Sequence, residues 1–348
     1  MISKDELSGA PQRTVLAVIV TYKTAGLVKN LLDSLAGERA AGAARNIVLR
    51  VVVIDNASGD AEAVQRIVAD SGNQDWITVI TAPRNGGFAY GNNLGFRHGF
   101  ESPTVPDFFL LLNPDTEVRS GAISALVDFL DRHDDAGIIG SSFEQQDGRL
   151  WPYAFRYPSL LGELDHGLRL GLVSKLLHKY IVVRRMGNVP EQVDWLPGAS
   201  MMLRRKVVED VGGMDETYFL YYEETDFCRK IKAAGWTIWY VPDSRVMHIA
   251  GQSTGVTGDQ EGTKRLPGYW FESRRRYFAK NHGLPYAMAT DAVLVLAYAV
   301  GQAKETLKGR RRPGVPHFAR DILRHSVLRK SNRTIAPAQE WRPTRDSK

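Results

Sequence analysis

The sequence predicts an α/β protein built on a mainly parallel sheet flanked by helices, and three observations predict it. Short, wholly apolar runs alternate with stretches whose apolar residues recur at helical spacing. The apolar runs are too short to cross a membrane and suit strands buried on both faces. Several of them end in polar, turn-forming residues, and open parallel sheets bind ligands beyond the carboxyl ends of their strands.

Residues 15–20 read as the first buried strand, followed by a helix over 24–35 with Leu27, Val28, Leu31, Leu32 and Leu35 on one face. Residues 48–54 read as a second strand ending at Asp55, 61–69 as a helix and 76–80 as a third strand. Helical spacing over 92–100 precedes a fourth strand at 108–112, which ends at Asn113. A helix over 121–130 follows, with Ser120 as its N-cap. The stretch 141–193 is irregular and contains a basic-apolar segment, 168–185. After it come a strand at 199–203, a helix at 206–211 stopped by Gly212-Gly213, a helix at 224–234 and a strand at 237–241. Residues 284–301 are mostly apolar but include Thr290 and Asp291.

The chain has 348 residues, 43% of them hydrophobic, which is enough for a full core. Its one cysteine, Cys228, excludes an intramolecular disulfide and a cysteine-rich metal site. The net charge of +6 hides an asymmetry: residues 264–348 hold 19 Lys and Arg against 6 Asp and Glu, and the preceding 263 hold 26 against 33. The chain is therefore an acidic body with a basic tail, and basic tails meet phosphate in nucleic acid or at a membrane surface. No nucleic-acid-binding motif accompanies it. The apolar stretch 284–301, followed by Lys304, Lys308 and Arg310-Arg311-Arg312, points to an interfacial anchor on anionic lipid. Residues 1–13 lack the apolar core of a secretory signal, which places the body in the cytoplasm.

Four polar clusters fall at strand ends: Thr21-Tyr22, Asp55-Asn56, Arg84-Asn85-Gly86-Gly87 and Asn113-Pro114-Asp115. Turn chemistry alone accounts for Asn, Asp and Gly at any one of them. Asp115 suits a hard divalent cation that holds a diphosphate, or else the cap of the following helix. Glu223, Glu224 and Asp226 crowd three carboxylates into one turn, which raises carboxylate pKa toward general-base duty; a helix N-terminus explains acids there as well. His248 suits metal or phosphate, though lone histidines are more often structural. Ser253 and Thr254 lie in a Gly-flanked loop suited to phosphate oxygens. The Gly-rich stretch from Asn85 to Asn93 is neither a Walker loop nor a dinucleotide fingerprint.

Taken together, VIVTY at 18–22, VIDNAS at 53–58, NGGF at 85–88 with Asn92-Asn93, LNPD at 112–115, WLPGA at 195–199, GMDE at 213–216, YYEETD at 221–226 and the segment around His248 resemble the family 2 inverting glycosyltransferases. They are most similar to the rhamnosyltransferase-like branch of bacterial cell-surface polysaccharide synthesis. The resemblance covers about residues 15–282 and implies a GT-A fold. It implies a glycosyltransferase domain (14–283) with a nucleotide half to about 140 and an acceptor half after it; composition and charge add a flexible start (1–13), an apolar and basic membrane-associating segment (284–330) and a flexible tail (331–348).

By position, the resemblance puts Thr21, Tyr22, Asp55, Asn85, Gly87, Asn93, Asn113 and Asp115 around the nucleotide sugar, with Asp55 on the base. Asp115 matches the last acid of the family's D-x-D motif, and His248 a position that completes the metal site. Asn113 departs from that motif; an amide is a weaker ligand than a carboxylate for Mg²⁺ or Mn²⁺. Glu224 matches the catalytic base, with Glu223 competing for the role; Trp195, Gly198 and Ala199 match the acceptor wall. The implied donor is a nucleotide-diphosphate sugar, dTDP-rhamnose first and a UDP-sugar next. The implied acceptor is a glycan or a polyprenyl-diphosphate-linked glycan at the inner face of the bacterial inner membrane. A sugar nucleotidyltransferase would want a basic Gly-rich loop after the first strand, and Thr21-Tyr22-Lys23 offers little of one. A non-catalytic membrane-bound module would have no use for the acidic cluster.

Overall fold

A strand with both faces covered reads as an unbroken apolar run, and Arg13–Thr21 (β1) is such a strand near the middle of the sheet. The structure is a computed structural model and describes residues 11–249, 264–309 and 314–344. Ile47–Asp55 (β2), Ile77–Thr81 (β3) and Phe108–Leu112 (β4) join β1 in parallel, in the order β4-β1-β2-β3. Ala25–Ala43 (α1), Ala61–Asp70 (α2) and Gly87–Glu101 (α3) are the connections. Alternation along β1 divides the core: Val15, Ala17 and Ile19 pack with α1 residues, while Leu16 and Val18 pack with Ala89 and Phe96 of α3. Helix α3 lies close on the sheet because glycine recurs every fourth residue. A Cβ on Gly91 would sit 2.5 Å from Val20, and one on Gly95 would sit 2.3 Å from Val18.

Thr116–Val118 (β5) leads to Ala122–Arg132 (α4) and Ala136–Glu144 (β6). The N-cap of α4 falls on Gly121, not on the expected Ser120. The carboxylate of Glu38, from α1, accepts from the N–H groups of Gly121 and Ile123 at 2.6 and 2.8 Å. A tertiary cap therefore replaces the local one.

The irregular stretch resolves into Leu150–Trp151 (β7), Tyr153–Phe155 (β8), Leu160–Leu168 (α5), Gly171–Leu176 (α6), Val183–Arg185 (β9) and Glu191–Gln192 (β10). Ser200–Arg204 (β11) then inserts antiparallel between β4 and β6. Arg205–Val211 (α7), Glu223–Ala233 (α8) and Thr237–His248 (β12) follow, and β12 runs parallel to β6. The sheet order is β10-β12-β6-β11-β4-β1-β2-β3, with β5 on β12 and β7 on β6. The sheet is thus mixed, with helices on both faces, as expected of the GT-A class.

Gly268–His282 (α9), Leu284–Leu307 (α10) and Phe318–His325 (α11) complete the chain against α5. Helix α10 is long and apolar enough to cross a membrane by length and composition. Its polar residues Thr290 and Asp291 nevertheless face the protein and are buried. Asp291 binds Arg274 of α9 and accepts from Ser326 Oγ. Arg274 also lies 3.2 Å from Glu163 of α5. Burial alone would discharge Arg274, but these two acids hold it charged. Residues 333–342 run back over the body: Trp341 O accepts from Gly213 N–H at 2.7 Å, Gln339 O from Glu216 N–H at 2.8 Å, and Trp341 packs 5.5 Å from Phe100. The basic run 310–312 and the Ser253-Thr254 loop lie outside the described residues.

Candidate active site

Parallel pairing aligns the carboxyl ends of neighbouring strands, and the register sets Thr21 beside Asp55 and Asp55 beside Thr81. Thr21 is buried and its hydroxyl is 3.0 Å from that of Thr24; Tyr22 projects outward, 43% exposed. Asp55 is fully buried. Its Oδ1 accepts from the N–H and hydroxyl of Ser58, while its Oδ2 is buried with no hydrogen-bond partner. An unpaired carboxylate oxygen is costly, and one aimed for a ligand recovers that cost when an N–H donor arrives.

The Asn85–Gly87 turn is held from below. Asn56 donates to Gly87 O at 3.0 Å and accepts from Gly86 N–H at 3.3 Å, and Asn85 Oδ1 accepts from Gly87 N–H at 3.1 Å. Gly87 has φ +84°, and a Cβ there would lie 1.8 Å from Phe219 O. No other residue fits. Phe88 N–H donates to that same carbonyl at 3.1 Å. The Asn85–Gly87 turn therefore touches the segment leading to the acidic cluster.

Asp115 follows β4 and is buried. Antiparallel pairing of β12 with β5 sets His248 opposite Thr116, which brings His248 Nε2 to 3.4 Å from Asp115 Oδ1. That oxygen is buried without a hydrogen-bond partner, which suits a hard cation or a protonated imidazole. The carbonyl of Asn113 accepts from the N–H and hydroxyl of Thr116, and its own N–H donates to Ala199 O at 3.2 Å. Among the described residues, no group of three or more His, Cys, Asp or Glu is arranged to hold a metal. Asp115 and His248 could together supply only two ligands, so a cation held there would need water or phosphate oxygens as well.

Two successive non-glycine residues, Tyr221 and Tyr222, take left-handed φ angles of 70° and 68° before α8 begins. Such strain is stored where the fold over-determines it, frequently at functional sites. It delivers Glu223 and Glu224 into the first turn, Glu223 buried and Glu224 half-buried, each with a buried Oε2 lacking a partner. Burial raises both carboxyls, Glu224 to about 7, and the neighbouring Glu224 charge raises Glu223 further. Glu224 lines a cavity of about 620 Å³ together with Trp195, Tyr222, Trp270, Glu163 and Ser174. Trp195 stacks 4.2 Å from Phe155 and donates to Arg156 O at 2.9 Å, so its ring is fixed. Gly198 fits under Phe88, where a Cβ would be 2.6 Å away.

Two of the residues named from sequence are engaged elsewhere. Asn93 donates to Met214 O and Glu216 Oε1, both at 2.9 Å, and accepts from Met214 N–H, so its amide ties α3 to the Gly213 turn. Asp226 points to α9, where Lys280 and Asn281 bind it, and it also accepts from the hydroxyl of Tyr218, in the segment before α8. Both side chains are thus already bonded within the protein. Asn56, expected only as part of a strand-end cluster, and Phe219, not expected at all, clamp the Asn85–Gly87 turn. The cavity's α5 and α6 wall was also absent, and its only sequence signal was the basic-apolar stretch 168–185.

Comparisons with known proteins agree with this geometry. A family model, glycosyltransferase like family 2, matches residues 11–265. The N-acetylglucosaminyl-diphospho-decaprenol L-rhamnosyltransferase of Mycobacterium tuberculosis is 32% identical over 253 residues, covering 68% of this chain and 76% of that one. Rhamnosyltransferase WbbL of Escherichia coli is 24% identical over 238 residues, covering 68% and 83%. The dTDP-rhamnosyl transferase RfbF of Shigella flexneri is 26% identical over 240 residues, covering 69% and 70%. In fold, the chain resembles a mannosyltransferase from Pyrobaculum calidifontis solved with GDP-mannose and Mn²⁺ (TM-score 0.51, 16% identity, 87% of this chain and 81% of that one). The strand-end acids, the strained acidic turn and the matched length lead to one assignment: the chain belongs to glycosyltransferase family 2 and is a glycosyltransferase.

Proposed function

We propose that the protein transfers rhamnose, with inversion, from a dTDP-linked donor to a glycan carried on a polyprenyl diphosphate, in cell-surface polysaccharide synthesis. The observation that carries this reading is Glu224: a half-buried carboxylate with a buried, unpaired oxygen and a raised pKa, in the wall of an aromatic-lined cavity. Such a group is matched to abstracting a proton near neutral pH. Glu224 takes the acceptor hydroxyl proton, the acceptor oxygen bonds to the anomeric carbon from the face opposite the diphosphate, and the anomeric C–O bond breaks to release the nucleoside diphosphate. Glu223, its carboxyl raised by burial and then by the Glu224 charge, resists adding a second charge beside the base. Trp195 gives the acceptor sugar a flat apolar wall.

On the donor side, Asp55 Oδ2 is an acceptor-only atom, and the imide N–H of thymine or uracil is the donor it fits. The names of two relatives support the donor and acceptor classes: one is a dTDP-rhamnosyl transferase, and another acts on a diphospho-decaprenol. Asp115 and His248 would hold a divalent cation, which when bound neutralises the leaving diphosphate. The apolar α10 with its basic flank suits a cytoplasmic enzyme resting on the inner face of the membrane.

The test is a donor panel scored by thermal shift and by transfer, run on the native protein and on Glu224→Gln. The variant should bind dTDP-rhamnose unchanged and lose transfer by at least about a hundredfold. Full transfer would move the role to Glu223, and a stronger shift with another sugar nucleotide would replace the donor.

A further inference from the structure

We propose that α6 and the outward face of α10 together form a bilayer-contacting ledge beside the cavity, so that the enzyme draws its acceptor from the membrane on which it rests. The acceptor part depends on the proposed transfer reaction; the docking part depends on the surface alone.

Helix α6 is two-faced. Gly171 and Ser174 line the cavity, and Ser174 Oγ donates to Asp165, also in its wall, at 2.6 Å. Leu172 and Leu176, on the other side, are 74% and 73% exposed. Helix α10 repeats the pattern at greater length. Ala287, Thr290, Asp291, Leu294, Ala297 and Gly301 face the protein. Leu296, Val300 and Leu307 face outward with 67%, 55% and 88% exposure. The two helices come together where Lys304 Nζ donates to Arg169 O at 3.3 Å, in the turn between α5 and α6. Large aliphatic side chains so exposed are stabilised only by something that covers them.

Charge decides what covers them. Residues 169–180 and 296–309 hold five Lys and Arg against a single acid, Glu305, which lies 3.6 Å from Lys304. A second copy of this chain, docked by a two-fold axis, would set these bases against themselves. An anionic bilayer meets them with opposite charge and takes the leucines into its interface. Because one side of α6 is cavity wall and the other is ledge, an acceptor anchored in that bilayer reaches Glu224 without its lipid leaving the membrane.

The test uses the full chain and flotation with vesicles of phosphatidylglycerol and phosphatidylcholine, against phosphatidylcholine alone. The native protein should float with the anionic vesicles. Leu172→Glu with Leu176→Glu should lower the bound fraction at least about tenfold by replacing two interfacial leucines with charge. Both residues are exposed, so the melting temperature and the donor-induced thermal shift should not change. Leu296→Glu with Val300→Glu should give the same loss from α10. Flotation of the α6 variant equal to that of the native protein overturns the ledge, as does equal binding to neutral vesicles. So does a native dimer in size-exclusion chromatography that the α6 variant splits into monomers. Anionic flotation with no donor binding across the panel keeps the docking and overturns only the transfer reading.

Discussion

His248 Nε2 stands 3.4 Å from Asp115 Oδ1, although the two residues come from opposite halves of the chain. Pairing of β12 with β5 brings them together. Their contact links the end of β12 to the acid that follows β4.

Removing either partner should therefore weaken the hold on the donor diphosphate. Asp115→Ala and His248→Ala are each expected to lower donor affinity at least about tenfold in the presence of Mn²⁺, measured by calorimetry. Chelator should lower the native protein's affinity in the same way. Donor affinity indifferent both to chelator and to Asp115→Ala would remove the cation from this site.

The raised carboxyl of Glu224 makes a pH prediction. A base works only when deprotonated, so kcat/KM for transfer should rise with pH through about 7 and level off above it. A profile flat from pH 5 to 9, on the order of the range a Glu at its ordinary pKa would leave flat, would sink the base assignment.

Glu223 makes a stability prediction with a definite sign. Its carboxyl is raised in the folded state, so above the ordinary Glu value of 4.5 the unfolded chain ionises first. Folding stability then falls as pH rises from that value toward the folded pKa. Glu223→Gln removes this loss and should stabilise the protein by about 1–3 kcal/mol at pH 8, with the difference shrinking toward pH 5. Denaturant melts at the two pH values measure it; a variant less stable at both would contradict it.

Gly87 combines a left-handed φ with a backbone carbonyl where a Cβ would lie. Gly87→Ala should cost more than about 2 kcal/mol and displace Phe219, with donor binding lost in parallel. An unchanged melting temperature would mean the turn is freer than its contacts indicate.

Arg274 joins Glu163 of the cavity wall to Asp291 of α10 in a buried cluster. Arg274→Met leaves two buried acids without their counter-charge, Asp291 keeping only the Ser326 hydroxyl, and should cost about 3–5 kcal/mol. Pairing it with Asp291→Leu should recover part of that loss, and a double-mutant cycle reads the coupling.

Much of the fold was legible in the sequence because buried parallel strands announce themselves. The runs at 15–20, 48–54 and 108–112 lie within β1, β2 and β4, and the helix expected over 206–211 is α7. The strand β6 was not read, because Ala136–Glu144 contains Gly137, Gly140, Ser141 and Ser142 and lacks a strong apolar run. Its burial comes from β11 and β12 on either side. The cap of α4 was misread for a similar reason: Ser120 is a good local cap, but Glu38 reaches it from another helix.

The site divides in the same way. Motif order named Asp55, Asp115, Glu224 and Trp195 as candidates, since strand-end position and residue chemistry are both sequence properties. It named Asn93 and Asp226 as well, and only the tertiary structure spends those side chains on Met214, Glu216 and Lys280. Asp291 shows the division most clearly. The sequence by itself determined an apolar segment with a costly acid inside it. Whether that acid forbids the helix or fastens it depends on a partner, and Arg274 arrives from α9 only when the chain has folded. Residue types and their spacing determined the strands, the family and the chemistry at hand. Which polar groups are left unpaired to meet a ligand was decided by three-dimensional packing, because a hydrogen bond between distant residues leaves no local trace in the sequence.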